Sequence, residues 1–310
     1  METEDRLNEL DLLRIFEKIF QNKLLIIILT SIFALSSVFY ALSLKNYYIS
    51  SSILSVDQKD SQSSGLSNLG SSYGGLAALA GISLPSGGNS SAYVVNLIES
   101  REFLKHLLTF ENVLPSIMAP SNYDPNTKLL SFNEELYNEE GNKWVRQVSI
   151  PRKVIPSHLE AYKAYMKALS VKVDPKTGFL SISVEHISPN FANELLVLII
   201  SQANKLAKVK DMAETSSALE YLYKEYSKES YSEIKTSISR LIDAQLETKM
   251  FANVKDDYLI SIIDPPFIPE EKSRPGRAMI CIFLTFLGFV FSIFIVLIKE
   301  FLIIRKLQNT

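Results

Sequence analysis

Two long apolar runs, at residues 24–44 and 279–298, bracket a chain whose other hydrophobic positions come in short periodic groups. Neither run contains a charge, and roughly 20 residues at about 1.5 Å each cover the ~30 Å hydrocarbon core of a bilayer. The pattern predicts two terminal transmembrane helices. Segment 1–23, ahead of the first run, alternates apolar and charged positions at helical spacing and carries no small-residue cleavage site. It reads as an interfacial helix leading into a true span, not as a signal peptide. Arg6, Arg14, Lys18 and Lys23 precede the first span, while Lys45 alone closely follows it, which orients the N-terminus to the cytoplasm. The second span returns the chain to that side, where Lys299, Arg305 and Lys306 follow in the tail 299–310.

Between the spans, 45–278 reads as a non-cytoplasmic domain of mixed strand and helix. Residues 47–56 alternate β-branched and aromatic positions with serine and predict a strand. Residues 61–91 are rich in Gly and Ser and predict a long flexible loop with an apolar cluster at 74–82. Residues 93–110 carry a helical stripe. Residues 115–156, with Pro115, Pro120, Pro125, Pro151 and Pro156 and the sole tryptophan Trp144, read as an irregular insertion. Ser157 and Glu160 have capping-box spacing for a helix over 157–169, and 179–187 alternate as a half-buried strand. Ser188 as N-cap and Pro189 at the first helical position open the longest element, a helix over 189–254 with no Pro or Gly inside. At ~1.5 Å per residue it would reach roughly 90 Å and project beyond a compact domain. Its later stripe, through Leu219, Leu222, Tyr226, Ile234, Ile238, Leu241 or Ile242, and Leu246, suits coiled-coil pairing with its own chain or a neighbour's. Tyr221, Tyr223, Tyr226 and Tyr231 read as aromatic packing at that contact, with glycan stacking or phosphorylation as the other readings. A strand over 258–263 precedes the second span.

The approach to that span, 264–277, is set by Pro265, Pro266, Pro269 and Pro275, each of which fixes φ and removes a backbone donor. The expectation is a stiff extended strut that fixes distance and angle to the membrane. Lys272, Arg274 and Arg277 lie on the side where positive residues are depleted. They are candidate contacts for a charged carrier or a polymerase; ordinary snorkelling is the other reading. Within the spans, Thr30, Ala34, Ser37 and Ala41, and likewise Cys281, Thr285, Gly288 and Ser292, recur at one spacing. These small stripes are candidates for close helix packing, between the two spans or between subunits, or a chance alignment.

Composition narrows the chemistry further. The net charge is −2, and no basic face interleaved with aromatics points to nucleic acid. Cys281 is the only cysteine and lies in the second span, so the exported region has neither disulfide nor thiolate metal site. His106, His158 and His186 lack metal-ligand spacing, no Gly-x-Ser-x-Gly occurs, and the glycine pair at 74–75 is not followed by Gly-Lys-Ser/Thr. No catalytic, cofactor or metal site is expected.

Three segments carry a family resemblance. Leu10-Asp11-Leu12-Leu13-Arg14-Ile15-Phe16 before the first span, residues 176–189 from Lys-Thr-Gly-Phe through His-Ile-Ser-Pro, and residues 263–275 from Ile-Asp-Pro-Pro through Lys-Ser-Arg-Pro stand in one order with both spans. Together they resemble the polysaccharide co-polymerases, the Wzz-type O-antigen chain-length determinants. The resemblance implies an α+β membrane protein of the bacterial inner membrane, with two terminal transmembrane helices flanking a periplasmic α/β base domain that bears a long projecting helix. It implies a non-catalytic homo-oligomer that sets the length of a lipid-linked polysaccharide made by a partner polymerase, with a polyprenyl pyrophosphate-linked glycan as the further partner. Residues 299–310 hold no Walker motif, so the kinase domain fused to some relatives is not expected. The alternatives are an adaptor for an export complex or a separate tyrosine kinase, and a two-span sensor or scaffold.

Overall fold

The computed structural model describes residues 20–56, 90–255 and 257–308. The expected interfacial helix, apart from its last residues, and the Gly/Ser loop, apart from residues 90–91, lie outside them. The chain divides into two compact units, Met1–Asn46 with Ser273–Thr310, and Tyr47–Lys272.

The first unit is a helix pair. Helix α1 spans Lys23–Ser43 and α8 spans Arg277–Gln308, and they pack against each other along their length. Lys23–Ser43 and Arg277–Lys299 are both long and apolar enough to cross a membrane. Most large side chains on them face outward, Phe39 and Met279 among them, the inverse of a water-soluble pair and suited to lipid.

The second unit is built on a four-stranded antiparallel sheet in the order β6-β7-β1-β8. Its strands are β1 (Tyr48–Val56), β6 (Leu169–Val173), β7 (Leu180–His186) and β8 (Ile260–Asp264). Alternation does what the pleat demands: Ser50, Ser52, Leu54 and Val56 of β1 and Leu180, Ile182, Val184 and His186 of β7 all turn inward. Onto that face pack α2 (Ser90–Ile98), α3 (Arg101–Leu107), α5 (His158–Ala168) and the first half of α6 (Pro189–Lys228), through Val94, Ile98, Leu104, Tyr165, Leu196 and Ile199. Burying each such aliphatic side chain contributes about 1.5–3 kcal/mol, so this face is the energetic centre of the domain.

Three expectations need correction. The helix expected over 189–254 is two helices, α6 and α7 (Ser232–Val254), packed together as a hairpin. Neither Gly nor Pro makes the turn. Glu229 and Tyr231 adopt extended backbone, and the Glu229 carboxylate accepts from the amides of Ser230 and Tyr231, taking donors that a continuing helix would have used. Folding back buries Leu219 and Leu222 against Ile242, so the stripe finds its partner in its own chain. The helix expected over 93–110 is likewise broken, because the Ser100 hydroxyl caps a new start at α3 by accepting from Phe103 N. The insertion at 115–156 is more regular than expected: α4 (Val113–Met118) leads into a hairpin of β2 (Pro120–Asp124) with β3 (Leu129–Phe132), then the short pair β4 (Tyr137–Asn138) and β5 (Lys143–Trp144).

The capping box at Ser157 and Glu160 is present in full, and Ser188 caps α6 with Pro189 in its first turn.

Candidate functional site

No residue between Asp264 and Arg277 is helical, and the segment's start, Asp264 to Phe267, is held by side chains of β1. β1 and β8 pair only as far as Ile53 and Asp264, beyond which Pro265, Pro266 and Pro269 offer no amide to a ladder. Serines replace the ladder. Ser52 Oγ donates to the Asp264 carbonyl at 2.6 Å and Ser50 Oγ to the Phe267 carbonyl at 2.7 Å, and both serines are fully buried. Pro265 is exposed, Pro266 half-buried and Pro269 buried. Asn204 of α6 secures the strand just before: its Oδ1 accepts from Leu259 N and Ile260 N and its Nδ2 donates to the Ile260 carbonyl. Sequence reading passed over Ser50, Ser52 and Asn204; the signal was polar residues at inward positions of apolar elements.

The candidate bases do not share one environment. Lys272, at the end of the second unit, is exposed. In the first unit Arg274 is exposed, Pro275 half-buried, and Arg277 half-buried against the end of α1. The Arg277 Nη2 donates to the Leu44 carbonyl at 3.3 Å and to Asn46 Oδ1 at 3.1 Å, while its Nε is buried without a hydrogen-bond partner. Leu44 is the C-cap of α1, so the guanidinium answers an orphan carbonyl at that helix's negative end. Arg277 joins the two apolar helices.

The small stripes lie at the contact between those helices. Ser37, Ala41, Gly288 and Ser292 are buried, while Thr30, Ala34, Cys281 and Thr285 are half-buried. A Cβ added to Gly288 would overlap Cβ and Cγ of Phe33, whose ring also meets Phe291 with centroids 5.9 Å apart. The hydroxyls are satisfied inside their own helices, Thr30 on Ile26 O, Ser37 on Ala34 O and Ser292 on Phe289 O, each at 2.7 Å. Thr30, Cys281, Thr285 and Phe289 also line a shallow apolar groove with Ile282 and Phe286.

His186 and His106 hold structure together. His186 is buried: its Nε2 hydrogen-bonds the Ser116 carbonyl at 2.9 Å and its Nδ1 accepts from Ser188 N at 3.1 Å, which fixes the proton on Nε2. Burial pushes its pKa down to about 4, so it stays neutral. His106 Nε2 pairs with Gln202 Oε1 at 2.9 Å. Among the described residues, no cluster of three or more His, Cys, Asp or Glu could hold a metal ion.

The family model for Wzz, chain length determinant protein, matches residues 8–109, which include α1, β1, α2 and α3. The matched stretch is the first third of the chain. Two solved structures are similar. One, described as a full-length bacterial polysaccharide co-polymerase, is 11% identical with a TM-score of 0.44, covering 93% of this chain and 96% of that one. The other, a fragment of WzzB, polysaccharide co-polymerase from Salmonella Typhimurium, is 13% identical with a TM-score of 0.28, covering 74% of this chain and 100% of that one. No curated protein matches the sequence.

Proposed function

We propose that this chain regulates the length of an O-antigen or related lipid-linked polysaccharide at the bacterial inner membrane, acting on a separate polymerase and making no bond itself. The observation that carries the reading is the family match over residues 8–109. Two apolar helices at opposite ends of the chain support a membrane anchor at both. In this reading both termini are cytoplasmic, Tyr47–Lys272 is periplasmic, and copies assemble into a homo-oligomer beside the polymerase.

The three bases divide into a carrier contact and a structural joint. Lys272 and Arg274 are exposed and suit a pyrophosphate head group, which takes charge-assisted hydrogen bonds from such donors. Arg277 serves as the joint between spans that positions them. The small stripes serve span pairing, and the proline segment serves as a stiff, extended strut.

The reading is tested with the polymerase and a lipid-linked repeat unit in proteoliposomes. Adding the full chain narrows the product lengths around one mode while total sugar incorporated stays within about twofold. A length distribution indifferent to the chain overturns the proposal.

A further inference from the structure

Within Tyr47–Lys272, one stretch of irregular backbone is held rigidly and yet presents apolar side chains to water. Residues 145–157 contain no helix or strand. Beneath them Arg146, its side chain only 9% exposed, donates from Nε to the Val154 carbonyl at 2.7 Å and from Nη2 to the Lys153 carbonyl at 2.6 Å. Its Nη1 meets Glu160 Oε2 at 2.7 Å, and Glu160 closes the capping box of α5 with Ser157. The guanidinium holds the Glu160 carboxyl below the usual carboxylate range. The loop is thereby tied to the first turn of α5.

What this knot displays is unusual for a solvated loop. Ile150 is 95% exposed, Ile155 62% and Val154 49%, with Leu159 at 50% just inside α5. Isolated apolar side chains in water need no explanation, but four on one short fixed segment make a patch. Arg152 and Lys153 stand among them, both exposed, and neither makes an ion pair among the described residues. The same unit carries the opposite charge at Glu134, Glu135, Glu139 and Glu140, all exposed and likewise without an ion pair among the described residues. Arg152 acts on Glu160 only through its field, without an ion pair, and exposed basic and acidic clusters on one chain are what a head-to-tail contact between copies needs, since each copy supplies both halves. Those carboxylates also set this unit against an anionic lipid surface as the loop's occupant.

We propose that loop 145–157 docks a second copy of the chain, with Ile150 and Ile155 as apolar anchors and Arg152 and Lys153 meeting the neighbour's glutamates of 134–140. A loop already fixed by Arg146 loses little freedom on docking, which leaves more of the contact energy for affinity. The inference rests on the homo-oligomer reading above and names its surface.

The test is the mass distribution of the full chain in nanodiscs or detergent, by mass photometry across a dilution series. Ile150→Asp, at a position too exposed to disturb the fold, and the charge reversal Arg152→Glu with Lys153→Glu each weaken assembly at least tenfold. Reversing Glu134, Glu135, Glu139 and Glu140 to Lys in the reversed chain restores it. A wild-type chain that stays monomeric overturns the oligomer reading itself. An assembled wild type with unchanged variants, or weakened variants that the second reversal does not rescue, overturns the docking surface alone.

Discussion

Phe33 of α1 occupies the space that any side chain on Gly288 of α8 would need, since an added Cβ would overlap the Phe33 Cβ and Cγ. Glycine here is a requirement of close approach, in a lipid setting where packing, not water, drives helices together. Gly288→Leu therefore forces the pair apart at a cost of about 1–3 kcal/mol. Adding Phe33→Ala returns most of it, because the larger residue then has a space to enter. Thermal unfolding of the full chain in detergent checks the pair; a double variant no better than Gly288→Leu contradicts the packing.

Arg277 and its neighbouring bases separate by readout. Arg277→Gln loses the bond to the Leu44 carbonyl, and disulfide cross-linking between cysteines placed near the ends of α1 and α8 slows several-fold. Lys272→Gln with Arg274→Gln leaves that cross-linking unchanged and shifts polysaccharide length. Equal effects of both changes on cross-linking contradict the division of roles.

Ser50 and Ser52 hold the proline segment where no ladder can form. Ser50→Ala and Ser52→Ala each strand a carbonyl and cost about 1 kcal/mol, with Val a worse replacement because it fills the buried site without a donor. Hydrogen exchange of residues 259–268 rises in both variants, while the amides of β7 remain as protected as before. Unaltered exchange at 259–268 contradicts the role assigned to the hydroxyls.

His186 gives the unit Tyr47–Lys272 an acid limit. Its folded pKa, about 4, lies below the ordinary 6.5, so the neutral ring stabilises the fold fully above pH ~6.5. As pH falls from there toward 4 that contribution is lost, because the unfolded chain takes the proton first. Protonation also ends the bond from Ser188 N to Nδ1 at the cap of α6. His186→Phe costs about 1–3 kcal/mol at neutral pH by leaving the Ser116 carbonyl and Ser188 amide unpaired, and it flattens this part of the stability profile. Denaturant midpoints between pH 4 and 7.5 decide it; parallel profiles for the two chains contradict the assignment.

How much of this is legible in the sequence depends on the range of the interaction. β1, β7, the capping box and the start of α6 rest on periodicity or on contacts three residues apart, and these are visible in the string of letters. The α6–α7 turn is not, because Glu229 breaks the helix with its own carboxylate and no Gly or Pro announces it. Strand β6 also escapes, since Leu-Ser-Val-Lys-Val follows a helix and is too short to show its own alternation. Arg146 reads as a surface base until the carbonyls of Lys153 and Val154 fold around it. Gly288 and Phe33 lie 255 positions apart, a distance no local pattern spans.

The most direct measurement is the surface polysaccharide ladder on a gel, from the host deleted for this chain and from the same host with the chain restored. Length regulation predicts that deletion removes the modal band while bulk polymer persists, and that restoration returns the band at its original size. An unchanged ladder contradicts the account, and loss of all polymer points instead to synthesis or export.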